Sequence, residues 1–169
     1  ELIPPFTPGR KAMYFHFFSD ANLAAFSVTG GVAMLAGGPV LTVRQRQHLS
    51  SPDSHTAEVV AAGNNCSFCV WLNGVLQELR IRLGQPTPFY LDSKTTVFVA
   101  NNDTAVKKSV WLIRRVAVLT DSVKHHQITP MHISERDMVA DPFTKYLTST
   151  VWNRHMDYLC NRILSGDSV

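Results

Sequence analysis

Of the thirteen acidic residues in this 169-residue chain, four stand among apolar neighbours where structural elements are expected to begin or end. Asp20 comes after Phe18, Glu58 lies between Ala57 and Val59, Asp92 follows Tyr90-Leu91, and Asp141 follows Val139-Ala140. A carboxylate is costly to bury in such surroundings unless it is paired or holds a metal. At element ends, all four could converge on one edge of a sheet. Carboxylates gathered this way repel one another, and a hard divalent cation relieves the repulsion. Two such ions ~3.5–4 Å apart would activate a water and stabilise the leaving oxygen of a phosphodiester. Spacing alone leaves a second possibility open, that these are ordinary caps and half-exposed carboxylates.

The other chemistry-bearing residues point less far. Cys66 and Cys69 form a C-x-x-C, yet no second ligand pair stands near Cys160 to complete a zinc site. The pair falls inside an apolar, helix-like segment rather than at a strand-to-helix turn, so it reads as two small core thiols. Three cysteines in all suggest a reducing compartment and exclude a disulfide scaffold. His125-His126 reads as a solvated turn.

The elements that must position the carboxylates can be traced along the chain. Residues 1–10, with three prolines, read as an arm or linker, 11–165 as the domain, and 166–169 as a tail. Residues 11–19 suit a buried strand leading to Asp20. Two apolar runs within 28–43, separated by Gly37-Gly38-Pro39, signal a hairpin. The chain therefore opens with three antiparallel strands. Residues 57–82 carry helical apolar spacing, with Gly63-Asn64-Asn65 and Gly74 as points where the helix is expected to weaken or divide. A strand ends at Asp92, a short helix covers 94–102, and a longer helix with Lys107, Lys108, Arg114 and Arg115 on a charged face covers 105–119. A strand over 127–134 is expected at an edge or bulge because of Pro130. A last helix spans 147–164, and Trp111 and Trp152 read as core. Antiparallel strands followed by alternating helices and strands suggest a mixed sheet with helices on its faces.

Composition bounds the class. Apolar residues make up 45% and charged residues 17%, which argues for a real core and against disorder. A net charge of +3 permits a polyanionic partner without demanding one. No uninterrupted apolar run approaches a membrane span, and positions 1–30 lack a signal-peptide pattern, so no membrane role is expected. The chain begins at Glu1 without Met and is read as a processed product or an excised piece.

Six segments occur in one order: SDANLAA (19–25), VTGGVAMLAGGPV (28–40), AEVVAA (57–62), VWLNGVLQEL (70–79), FYLDS (89–93) and VADPFTK (139–145). Together they resemble the ribonuclease H domain of copia-type LTR retrotransposon Pol polyproteins. That family reads S-D-A-x-W, then S-G-Y-x-x-x-L-G-G-G-P-V-x-W, S-T-E-A-E-Y, A-x-W-L-x-x-L-L-x-E-L, L-Y-C-D-N and A-D-x-F-T-K. LAGGPV and VADPFTK are the most distinctive matches, and the likeness spans residues 15–164.

The resemblance implies a ribonuclease H-like α/β fold with a five-stranded mixed sheet, its first three strands antiparallel and helices flanking it. It implies a metal-dependent endonuclease that hydrolyses the RNA strand of RNA–DNA hybrids during reverse transcription of a retroelement. Asp20, Glu58, Asp92 and Asp141 would be the catalytic carboxylates and hold two Mg²⁺ ions, or Mn²⁺. Asp20 would bridge both ions, sharing the nucleophile-side one with Asp141, while Glu58 and Asp92 hold the other. The partners implied are the hybrid and the upstream reverse transcriptase of the same polyprotein. The setting implied is intracellular: cytoplasm, virus-like particle or nucleus. Arg44, Arg46, Lys107 and Lys108 are candidate contacts to hybrid phosphates, and His132, ahead of the last Asp, is a candidate helper in product release.

The sequence also departs from the family. Leu23 replaces Trp, Thr56 the first Glu of its motif, Val59 Tyr, and Ser93 Asn, while residues 103–111 lack the H-x-R-T-K-H pattern. These departures keep a rival in view: an inactive, domesticated ribonuclease H-fold domain serving as scaffold or nucleic-acid binder. An integrase or junction resolvase fits less well, because integrases use a D-D-E order and this chain has D-E-D-D.

Overall fold

The computed structural model describes residues 14–23, 26–48, 51–84, 86–102 and 110–162. The arm 1–10, the tail 166–169, Lys107, Lys108 and the Trp111 side chain lie outside the described residues. Strands β1 (Phe15–Asn22), β2 (Val28–Leu35) and β3 (Gly38–Arg46) form an antiparallel meander. The β2–β3 turn is tighter than expected. Ala36 and Gly37 carry it with φ of 52° and 87°, the left-handed pair that matches strand twist in a two-residue hairpin. Pro39 falls within β3, opposite Met34 at a register irregularity, and is tolerated because β3 is an edge strand.

Helix α1 (Ser54–Glu78) follows, capped by Asp53, whose side chain accepts from the Thr56 amide. Then come β4 (Thr87–Leu91), α2 (Lys94–Asn101), α3 (Val110–Lys124), β5 (Ile128–His132), two single 3₁₀ turns (Glu135–Asp137 and Asp141–Phe143) and α4 (Ser149–Leu159). β4 lies parallel to β1, and β5 parallel to β4, giving the order β3-β2-β1-β4-β5. The architecture is the five-stranded mixed sheet that the sequence predicts, and Pro130 sits on the opposite edge strand, as expected.

Alternation along the strands builds two cores. Phe17 stacks on Phe89 beneath α1, with Cys66, Cys69, Leu119 and Ile128 around them. Phe18 stacks on Tyr90 on the other face, against Met138, Val139 and Leu159. Each such side chain contributes about 1.5–3 kcal/mol on burial. The two thiols of the C-x-x-C are fully buried core groups.

Three expectations are corrected. Helix α1 does not divide at Gly63-Asn64-Asn65. A Cβ at Gly63 would lie 2.8 Å from the Arg115 carbonyl oxygen, so the glycine is there to let α3 approach. Asn65 donates to Ser19 Oγ (2.8 Å) and to the Gly30 carbonyl (2.7 Å), tying α1 to β1 and β2. Secondly, α1 is long and apolar enough to cross a membrane by length and composition alone, although polar residues interrupt its apolar run. Here it is a core helix that buries Val59, Ala62, Cys66 and Leu76 against the rest of the chain. Thirdly, Trp152 is 43% exposed; α4 buries His155 and Leu159 instead.

Candidate active site

β1 carries Asp20 into the centre of the sheet, two residues before the strand ends, opposite Gly30 of β2. Asp20 is completely buried. Glu58 lies in the second turn of α1, and Asp92 immediately follows β4, the parallel neighbour of β1. The topology thus brings a strand interior, a helix start and a strand end to one place. Asp20, Glu58 and Asp92 each offer a carboxylate oxygen, and the three oxygens lie within 4.8 Å of one another.

Asp141 reaches the same site from the other core. It begins the second 3₁₀ turn, and the Thr144 and Lys145 amides both donate to its carbonyl at 2.9 Å. Its Oδ1 lies 3.0 Å from the Lys145 Nζ, which is also 3.7 Å from Asp20 Oδ1 and 3.9 Å from Glu135 Oε1. Asp141 is therefore joined to Asp20 through a lysine and stands outside the set of three converging oxygens. Thr144 Oγ1 donates to Asp20 Oδ2. This segment is held down by Asn22 Nδ2 donating to the Thr144 carbonyl and Arg44 Nη1 donating to the Phe143 carbonyl, each at 3.1 Å. Gly30 lets it approach, since a Cβ there would collide with the Thr144 methyl.

Crowding and burial set the charges. Burial, with the Asp141 and Asp92 charges adding, pushes the Asp20 carboxyl up to about 7, against the pull of Lys145 and Thr144. Burial, then Asp20 and Asp92, pushes Glu58 to about 9. Asp92 and Asp141 are also raised, chiefly by burial. Burial opposes the charge on Lys145, but Asp20 and Asp141 outweigh it and hold the ammonium well above its ordinary value. Asp20 Oδ1 is a buried acceptor with no hydrogen-bond donor. A buried carboxylate with an unpaired oxygen, grouped with two further carboxylates, suits a divalent cation such as Mg²⁺ or Mn²⁺. Glu58, Asp92, Glu135, Lys145 and Leu23 line a cleft of about 540 Å³ at this place.

The remaining candidates lie elsewhere. Arg44 and Arg46 are exposed on β3, but both are engaged within the chain, Arg44 by Phe143 and Arg46 by the Phe26 ring, 3.2 Å from its centroid. Arg46 also lines a second cleft of about 330 Å³ with His48 and Arg115. His132 ends β5 with its side chain exposed and is not among the residues lining the carboxylate cleft. Sequence reasoning gave no role to Lys145, Thr144 or Glu135. A signal was present for the lysine: Asp141 and Lys145 are four residues apart within VADPFTK.

No family model matches the chain. By sequence it is 25% identical over 142 residues to the retrovirus-related Pol polyprotein from transposon RE1 of Arabidopsis thaliana, covering 81% of this chain and 10% of that one. The corresponding polyprotein from transposon RE2 is 25% identical over 138 residues, covering 79% and 10%. The chain thus spans about a tenth of the length of the curated relatives it matches. In structure it matches the N-terminal RNase H domain of rv2228c from Mycobacterium tuberculosis with a TM-score of 0.59 at 14% identity, covering 89% of this chain and 98% of that one. It matches LC11-RNase H1, solved in complex with an RNA/DNA hybrid, with a TM-score of 0.59 at 13% identity, covering 76% and 92%. Prototype foamy virus protease–reverse transcriptase aligns with a TM-score of 0.53 at 15% identity, covering 88% of this chain and 23% of that one. By sequence the chain is similar to these Pol polyproteins, and it has the ribonuclease H fold.

Proposed function

We propose that this domain is a ribonuclease H that hydrolyses the RNA strand of RNA–DNA hybrids while a retroelement is reverse transcribed. Its natural partner would be the reverse transcriptase of the same polyprotein, and its setting intracellular. The observation that carries this reading is the convergence of the Asp20, Glu58 and Asp92 oxygens within 4.8 Å, in the fold shared with RNase H domains. Asp141, bridged to Asp20 by Lys145, would complete the metal-holding set.

Divalent ions bound there would supply an activated water and positive charge for the leaving oxygen. The chain's own residues prepare the place. Thr144 fixes the orientation of Asp20 by donating to Oδ2, while Oδ1 has no hydrogen-bond donor and lies 3.7 Å from the Lys145 ammonium. Asn22 and Arg44 hold the Asp141–Lys145 segment against β1 and β3. Glu58 and Asp92, beside the buried Asp20, line the cleft, which would admit a phosphate backbone. Exposed Arg44 and Arg46, beside the arginine-lined second cleft, supply positive charge for that backbone. Products would carry 5′-phosphate and 3′-hydroxyl ends.

The test is cleavage of an end-labelled RNA–DNA hybrid in Mg²⁺ and in Mn²⁺, by the domain alone and joined to its reverse transcriptase, beside Asp92→Asn. Cutting of the RNA strand by the wild type and not by the variant is expected. Binding without cutting under every condition would make the domain a nucleic-acid-binding module.

A further inference from the structure

Two of the paired positions that a two-ion site requires are unlike each other here. On the Asp20–Glu58–Asp92 side three carboxylate oxygens lie within 4.8 Å of one another, with Glu58 and Asp92 lining the cleft and Asp20 wholly buried. The Asp20–Asp141 side already contains a cation, the Lys145 ammonium, 3.0 Å from Asp141 Oδ1 and 3.7 Å from Asp20 Oδ1. The lysine is not a surface residue that happens to lean inward. Its side chain is only 26% exposed, its backbone N–H donates to the Asp141 carbonyl, and its segment is clamped to β1 and β3. Its four-carbon stem nevertheless leaves the ammonium able to move. Glu135, whose side chain is 78% exposed, stands 3.9 Å away on the outer side and offers a second carboxylate partner.

We propose that Lys145 is a built-in counter-cation of this site: it holds the Asp20–Asp141 side in the metal-free protein and competes there with one of the two divalent ions. This rests on the metal-site reading above. Two consequences follow from charge alone. Without metal, Lys145 offsets the mutual repulsion of buried carboxylates that would otherwise oppose folding. With metal, an ion entering the Asp20–Asp141 side must displace or face the ammonium, so the two ions bind with unequal affinity. Lys145 is then a positioning residue that sets the divalent-ion concentration at which the site fills, whatever rate the filled site supports.

The test uses calorimetric titration of the whole chain with Mn²⁺ in the absence of nucleic acid, together with thermal melts in EDTA, for wild type, Lys145→Met and Lys145→Arg. Wild type should bind one ion tightly and a second weakly. Lys145→Met should tighten the weaker ion by about tenfold or more and melt at a lower temperature in EDTA, with Mn²⁺ restoring the loss. Lys145→Arg, which keeps the charge, should stay near wild type in both measurements. If wild type binds Mn²⁺ and Lys145→Met shows the same or a weaker isotherm, the competition is overturned while the metal site stands. A Lys145→Met protein that stays unfolded in Mn²⁺ makes the lysine structural and also overturns it. If no protein binds Mn²⁺, the metal-site reading falls and the competition with it.

Discussion

Asp20 is the residue on which the site's electrostatics turn. It is wholly buried, its Oδ1 has no donor, and its carboxyl is pushed up to about 7 by burial first and by neighbouring carboxylates second. Asp20→Asn removes a charge that opposes folding. The variant should lose cleavage by about 100-fold or more while the metal-free protein gains about 1 kcal/mol or more, read from chemical denaturation in EDTA. A clear loss of stability would show that Asp20 is structural. The same burial makes stability depend on pH. Carboxyls raised in the folded state keep protons that the unfolded chain has released. The contribution of these two carboxyls is therefore full below about pH 4 and is lost as pH rises through about 7 for Asp20 and about 9 for Glu58, whereas His16 and His155, lowered by burial, act in the opposite sense below about pH 6.5. Lys145, held above its ordinary value, contributes evenly across this window. Above the histidine range, melting temperature in EDTA should drop between about pH 7 and about pH 9, and Mg²⁺ should restore most of the drop at the alkaline end. A melting temperature that rises with pH across that window in EDTA would contradict the crowding. The four carboxylates were legible in the sequence because acidic residues among apolar neighbours are conspicuous. Lys145 and Thr144 were not, because a Lys and a Thr ahead of a helix look like ordinary surface residues until the 3₁₀ turn folds them back onto Asp20.

At the scale of elements, α1 shows where sequence reasoning ran out. Gly63 and Asn65 looked like helix breakers because intrinsic propensity disfavours them, and both turn out to serve tertiary contacts. In an isolated helix Gly→Ala stabilises by about 1 kcal/mol. Gly63→Ala should do the reverse here, because its Cβ would sit 2.8 Å from the Arg115 carbonyl oxygen. Backbone cannot yield as a flexible side chain can, so α3 must move away. A net loss of about 1–3 kcal/mol is expected, measured by urea denaturation. An unchanged or higher midpoint would mean that α3 is not closely fixed against α1. The strands were easier to read. Phe17 and Phe18 alternate between two buried faces, and prolines mark both edges at Pro39 and Pro130. The tight Ala36-Gly37 turn was missed by one residue because Ala rarely takes a positive φ, and the Gly38-Pro39 pair next to it is the stronger turn signal.

For the molecule as a whole, the remaining question is how a chain of net charge +3 would hold a polyanion beside a pocket of carboxylates. Metal-free, that pocket repels phosphate, and Lys145 offsets only part of its charge. Of the candidate phosphate contacts among the described residues, Arg44 and Arg46 are exposed but also committed to Phe143 and Phe26. Binding of hybrid by the isolated domain should then be weak. It should depend on salt with a log–log slope of about −3, as for three or four phosphate contacts at roughly 0.9 each. On the proposed reading hydrolysis is a separate requirement, because it would need ions held by the carboxylates. EDTA should stop cutting completely while leaving a measurable part of the salt-sensitive binding. Discrimination should follow the 2′-hydroxyl, so that RNA paired with DNA is cut and duplex DNA is not. Filter binding and gel cleavage assays on the same preparation, across 50–200 mM salt with and without EDTA, separate the two terms. A slope much steeper than about −3 would show that further basic residues carry phosphates as well, with Lys107 and Lys108 among the candidates. Cutting that persists in EDTA would remove the carboxylate-held ions from the reaction altogether.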